Sequence, residues 1–463
     1  MIAHAVVPGL KILSQLPGLE PGLTRPENPF IANRPYKPDA PKGKQYATIQ
    51  TAKHCRSQRI YGAMTLGSTA ADGAADEIKP FEYHASQSAL DDLKRRLGET
   101  RWPERETCKD WSEGVPLDQM QTLVDYWRTQ YDWRRCEKEL NRFPQFRTTI
   151  DGLGIHFIHV RSKNPNALPI ILTHGWPSSV LLFRDVIAPL TDPTAHGGKS
   201  EDAFDVVIPS LPGFGFSDKP SERGWNAERT ARAWTTLMSR LGYKRYVAQG
   251  GDWGAFVTTA MAQQWPPGLA AIHLNFPQVF PDHIPDKLST DEKRAVDIWQ
   301  HFRDEGFGYF LIQATRPQTI GYALTDSAPG QAAWLYDIYN SGTGNTGDPA
   351  AVIERDKILD EITLYWLSGS AASSARFYME ERTRLRKHNN PGRVDLPVGV
   401  SIFPHDLPAP RSWAKAVYPN LFYWHNLYQG GHFASLEKPE LFVEELRNCF
   451  REVRHTDHPK TIE

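Results

Sequence analysis

The chain has 463 residues, 40% of them hydrophobic and 11% aromatic, with 14 Trp. That is enough for a large catalytic domain with insertions and a substantial core, which excludes a fibrous or wholly disordered chain. Lys and Arg total 53 against 54 Asp and Glu, a formal net charge of −1, so no global field recruits nucleic acid or an anionic membrane.

The four cysteines, Cys55, Cys108, Cys136 and Cys449, are scattered and form no CxxC pair. A disulfide framework is not expected, which fits a reducing compartment. There is no metal-ligand spacing, Gly-rich phosphate loop or dinucleotide motif, so no cofactor and no metal is implied. No apolar run reaches the roughly 18 residues of a membrane span. Met1 to Leu19, broken by Pro8, Lys11, Ser14 and Pro17, lacks the compact apolar segment of a signal peptide. The expectation is a soluble cytoplasmic protein that acts on a small, neutral molecule. Peripheral membrane contact and a homodimer both remain compatible with it.

In chain order, residues 1–77 are rich in Pro and small residues, as in PGLEPGLTRPENP and GSTAADGAAD. Such a stretch buries too little apolar surface to offset its ordering entropy, and a disordered extension is expected, with Met64 an alternative start. Residues 78–161 read as an N-terminal unit packed against the rest. Ser88 to Leu97 and Met120 to Tyr131 have helical spacing, and two short strands flank a turn at Asp151 and Gly152. From 162 to 276, apolar strands alternate with amphipathic helices: strands at Leu168–Leu172, Phe204–Ile208, Tyr246–Ala248 and Ala270–Leu274, helices at Asn226–Leu241 and from Gly254 through Gln263. This rhythm implies a mostly parallel sheet covered on both faces. Residues 277–390 lose the strand signal and become helical and aromatic, a cap or lid inserted into the sheet. Residues 391–463 resume it with strands at Val398–Phe403 and Leu421–Trp424 and a final helix at Pro439–Phe450. The fold class is α/β.

The most informative segment is Gly250-Gly251-Asp252-Trp253-Gly254, between a short strand and a helix. This is a nucleophile-elbow pattern with Asp in place of Ser. The turn is so tight that only small residues fit beside the nucleophile. A carboxylate, with an ordinary pKa of about 3.9, is ionised without help from a base. It attacks strained or activated saturated carbon and becomes an ester, which water must then cleave. That second step needs a base. His432, in Gly430-Gly431-His432-Phe433 after the last strand, stands where this fold places it. Asp406, in the loop after the preceding strand, is the candidate that orients the histidine, with His405 and Asp395 as rivals. His174-Gly175-Trp176-Pro177 ends an earlier strand, so the backbone N–H groups of Trp176 and Trp253 are the expected oxyanion donors.

The segments HGWP, PSLPGFGFSD, GGDWG and GGHFASLEKPE together resemble the epoxide hydrolases. Residues 78–161, with RWPE and YWRTQYDWR, resemble the N-terminal domain of that family's microsomal-type branch. The resemblance spans about residues 78–450 and implies an α/β-hydrolase fold and a cofactor-independent ether-bond hydrolase. It also implies two lid tyrosines that donate hydrogen bonds to the epoxide oxygen. GYFLIQ matches the first motif, which gives Tyr309, and RFYME the second, which gives Tyr378. Spacing alone would make both rings core packing. Two features depart from mammalian microsomal members: Asp406 stands where they carry Glu, and the N-terminal extension is not an apolar anchor. A haloalkane dehalogenase, which also uses an elbow Asp, and a non-catalytic ligand-binding protein are the competing readings.

Overall fold

The computed structural model describes residues 77–385, 390–456 and 461. The expected extension, apart from residue 77, lies outside them. Nine strands form one sheet: β1 (Lys79–Phe81), β2 (Gln145–Ile150), β3 (Leu153–Val160), β4 (Leu168–Thr173), β5 (Phe204–Pro209), β6 (Tyr246–Gly250), β7 (Leu269–Leu274), β8 (Val398–Ile402) and β9 (Leu421–Asn426). Their order is β1-β2-β3-β5-β4-β6-β7-β8-β9. β1, β2, β3 and β5 pair antiparallel, and every pair from β5 across to β9 is parallel.

Local chemistry explains most of these elements. β2 and β3 meet at a two-residue loop in which Asp151 (φ 52°) and Gly152 (φ 78°) both have positive φ. This is the tight-hairpin geometry that Asp-Gly favours. β5 and β6 are buried along their whole length, which accounts for their mostly apolar sequences, interrupted only by Asp205 in β5 and Gln249 in β6. The helix Ala227–Arg240 starts where the Asn226 side chain accepts the N–H of Arg229 at 3.0 Å. It buries Thr230, Ala231, Trp234, Leu237 and Met238, one stripe at helical spacing, and packs on the helix Trp253–Gln264.

Within residues 78–161 the sequence pattern leaves out two elements, the short strand β1 and the helix Trp133–Leu140. Segment 78–161 also does more than pack against the catalytic part. It extends the same sheet by three antiparallel strands.

Between β7 and β8 lie the helices Thr290–His301, Gly308–Thr315, Pro317–Asp326, Ala328–Gly342, Arg355–Ser368 and Ala371–Leu385. They form the cap. The N-terminal helices brace it through buried polar contacts. Trp127 Nε1 donates to Thr363 Oγ1 at 2.9 Å, and Tyr131 OH to Asp360 Oδ1 at 2.7 Å. Arg135 reaches Asp360 at 2.7 Å, and Arg184 also pairs with it. Among the described residues no helix is long and apolar enough to cross a membrane.

β4 is flanked by β5 on one side and β6 on the other. The chain leaves it in opposite directions, so a crevice opens beyond the carboxyl ends of β4 and β6. The elbow and the HGWP loop meet there, under the cap.

Candidate active site

Asp252 sits at the turn from β6 into the helix Trp253–Gln264 with φ 50° and ψ −129°. A non-glycine residue there is strained, at a cost of about 1–3 kcal/mol. The surrounding backbone holds it in place. A Cβ on Gly250 would lie 2.1 Å from the Gly254 carbonyl oxygen, and one on Gly254 would lie 1.9 Å from that of Thr173. The elbow therefore closes only with glycine at both positions, and its small-residue pattern is a packing requirement.

The HGWP loop comes equally close. A Cβ on Gly175 would fall 2.2 Å from Asp252 Oδ1. The next residue, Trp176, donates its backbone N–H to that same oxygen at 2.8 Å. The second expected donor, Trp253 N–H, opens the following helix but makes no hydrogen bond to the carboxylate among the described residues. Of the two expected donors, Trp176 is the one that reaches the Asp252 carboxylate among the described residues.

His174, read from sequence only as part of the loop motif, clamps that loop. Its Nδ1 lies 3.0 Å from the Gly175 carbonyl and its Nε2 accepts the N–H of Leu211 at 3.1 Å, which assigns the proton to Nδ1. Burial pushes its pKa down to about 4. It is a neutral strut that ties the β4 loop to the β5 loop.

His432 lies opposite Asp252, with Nε2 3.5 Å from Oδ2. Its Nδ1 is 3.0 Å from Asp406 Oδ1. Its backbone N–H donates to the carbonyl of Gly342, at the end of a cap helix, at 2.9 Å. Burial opposes the imidazolium, but Asp406 and Asp252 outweigh it and hold the pKa well above the ordinary histidine range. Asp406 is fixed in turn by the N–H of Leu407 at 2.8 Å. Neither rival makes a hydrogen bond or ion pair to His432 among the described residues. His405 and Asp395 are exposed, and Asp395 pairs with Arg393 at 2.7 Å.

Glu437 is a further residue that the sequence reading did not single out. It is buried, accepts the N–H of Phe433 at 2.8 Å, and burial pushes its pKa up to about 7. It shapes the loop that carries His432.

The cap brings both tyrosines over the carboxylate. Tyr309, on the helix Gly308–Thr315, stacks on the Trp176 ring at 5.3 Å and 10°. Tyr378, on the helix Ala371–Leu385 and 1% exposed, meets Trp253 edge-on at 4.6 Å. The two phenol rings are 6.1 Å apart. Burial, reinforced for both by the charge of Asp252, raises both pKa values above the usual phenol value. Both are therefore neutral donors near neutral pH.

A nine-stranded, mostly parallel sheet with a sharp strand-to-helix elbow defines an α/β hydrolase, here one with Asp at the elbow and a helical cap. Comparison with known proteins agrees. The family described as "Epoxide hydrolase N terminus" matches residues 78–183, and "alpha/beta hydrolase fold" matches 169–311. A protein of Stigmatella aurantiaca named "Putative epoxide hydrolase" is 60% identical over 81% of this chain and 86% of its own. Epoxide hydrolase 1 of Sus scrofa is 34% identical over 82% of this chain and 90% of its own. The crystal structure of juvenile hormone epoxide hydrolase from Bombyx mori superposes with a TM-score of 0.76 at 31% identity, covering 83% of this chain and 96% of that one. The chain belongs to the epoxide hydrolase family and is an enzyme of that class, which sets aside the dehalogenase and non-catalytic readings.

Proposed function

We propose that this enzyme converts a lipophilic epoxide and water to a vicinal diol through an ester on Asp252. Oδ2 of Asp252 attacks a ring carbon and breaks its bond to the epoxide oxygen. Tyr309 and Tyr378 hydrogen-bond that oxygen, and one of them gives it a proton. Water then attacks Cγ of the ester and loses a proton to His432 Nε2. Asp406 holds the ring and stabilises its charge. Trp176 N–H, joined by Trp253 N–H as the intermediate forms, stabilises the charge on Oδ1.

The observation that carries this reading is the division of labour at the Asp252 carboxylate. Oδ1 is bound to a backbone N–H, while Oδ2 is left facing His432 across 3.5 Å. The aromatic surroundings of Trp176, Trp253 and Phe310 around the tyrosines support an apolar substrate. Cys108, Cys136 and Cys449 are free thiols, which fits a reducing compartment and supports a cytoplasmic site of action.

The test is a single turnover of styrene oxide in ¹⁸O-water, followed by mass analysis of the peptide that contains Asp252. Label in Asp252, absent from Asp252→Ala together with all diol formation, is the expected result. Diol without label in Asp252 would mean direct attack by water and would remove the ester.

A further inference from the structure

β6 carries a glutamine in a run otherwise made of Tyr246, Val247, Ala248 and Gly250. Gln249 is 1% exposed. A buried amide is costly unless its polar atoms are paired. One is: Nε2 donates to Asn275 Oδ1 at 2.8 Å. The other, Oε1, has no protein partner. Turning both amides over keeps one bond between them and still leaves one polar atom of Gln249 unmatched. Asn275 follows β7 and packs against the elbow itself, because a Cβ on Gly251 would lie 2.6 Å from its Nδ2 and Oδ1.

Gln249 and Asn275 line a small cavity together with Asp252 and His432. About 20 Å³ is open to the centre of a water molecule there, and about 10–15 Å³ suffices for one water. This space holds a water but not an epoxide. Its walls include neither Tyr309 nor Tyr378. The amide pair therefore borders this space, whereas the phenols do not.

We propose that Gln249, braced by Asn275, is a positioning residue for the hydrolytic water, which it holds beside Asp252 in the space that the tyrosines do not border. This rests on the two-step reading above. Water hydrogen-bonded to the free amide atom is presented to Cγ of the ester, with His432 Nε2 at hand for its proton. The Cγ–O bond to the diol then breaks, and the departing oxygen takes that proton back from His432. Asp252 keeps one oxygen from water, and its carboxyl proton restores the phenol that gave one up. A separate water site lets hydrolysis begin while the diol oxygen is still bound under the cap.

The test uses Gln249→Met, which keeps the side-chain length and removes the amide, with styrene oxide as substrate. Quenched-flow intact mass should show ester formation at the wild-type rate and ester hydrolysis slowed by about tenfold or more. In the steady state kcat and KM should fall together, with kcat/KM kept within about twofold. A merely structural role would lower kcat/KM without building up ester, and that result overturns the proposal. His432→Gln supplies the reference, because it should trap the ester. Ester in His432→Gln but not in Gln249→Met removes the water assignment alone. Ester in neither variant removes the two-step reading and this proposal with it. If Gln249→Met does not fold, Asn275→Ala releases the brace and must show the same signature to a smaller extent; unchanged hydrolysis there overturns the proposal.

Discussion

The sheet and the cap hold their functional groups by different means. On the sheet side, Asp252, Asp406 and His432 are placed by backbone. Asp252 sits in a strained turn closed by glycines, its Oδ1 bound by Trp176 N–H, and His432 is tied by its own N–H across to the backbone of Gly342 at the end of a cap helix. On the cap side, Tyr309 and Tyr378 are placed by rings packed on Trp176, Trp253 and Phe310. Backbone hydrogen bonds and steric closure fix a group directly, whereas a packed ring is held through many contacts that are individually weak. In the proposed mechanism the sheet sets the bond-making geometry, and the cap offers donors that follow the oxygen as the ring opens. Loss of a sheet group should stop a step outright, and loss of a cap group should slow the reaction by degrees.

This contrast can be broken most sharply at His432. His432→Gln should leave ester formation near the wild-type rate and slow its hydrolysis by about 10⁴-fold. Intact mass after mixing with styrene oxide should show one substrate equivalent retained on the protein. Prompt diol release by this variant would refute His432 as the base.

The cap should respond in a graded way. Tyr309→Phe or Tyr378→Phe alone should cost about tenfold in the ester-forming rate, because the other phenol still reaches the oxygen, and the pair together about 10³-fold. Stopped-flow tryptophan fluorescence would follow this step. If one single variant is as slow as the double, the two phenols are not interchangeable and the cap is as rigid as the sheet.

Asp406→Asn lies between these cases. The ring keeps a hydrogen-bond partner but loses the charge that favours its protonated form, so hydrolysis should slow by about a hundredfold with ester formation unaffected. An equal loss in both steps would show that Asp406 acts on Asp252 as well.

The smallest expected effect is a shift in pH dependence. In the free enzyme burial disfavours the imidazolium, while Asp406 and Asp252 together raise the His432 pKa. Forming the ester removes the Asp252 charge and with it part of the raising influence. Hydrolysis needs neutral His432, so its rate falls as pH drops through the pKa of the ester state. The acid limb of single-turnover hydrolysis should therefore lie below the His432 midpoint measured by NMR in the free enzyme. Coincident values would mean that Asp252 does not hold the proton on His432.

How far the site can be read without coordinates follows from the range of each interaction. Asp252 and His432 announce themselves through their own glycine neighbours, because the steric demand of a tight turn falls within a few residues. Asp406 is placed by its position after a strand, yet its choice over His405 and Asp395 depends on a contact with a residue 26 positions away. Tyr309 and Tyr378 stand out only by likeness to a family, since aromatic spacing in a helix describes packing equally well. His174 as a strut, Glu437 behind the histidine loop and the Gln249–Asn275 pair have no local signature. Each is defined by a partner brought in from another strand or loop.

The sequence by itself determined the alternation of strands and helices, the inserted cap and the identity of the elbow, because periodicity and glycine sterics act over a few residues. Only the tertiary structure decided the rest. It joined three N-terminal strands to the catalytic sheet and set the cap rings above Trp176 and Trp253. It also left one buried amide atom of Gln249 without a protein partner, and it set Gln249 in the lining of a small cavity beside Asp252. Each of these depends on how distant segments share one sheet edge, and no local rule of sequence specifies that.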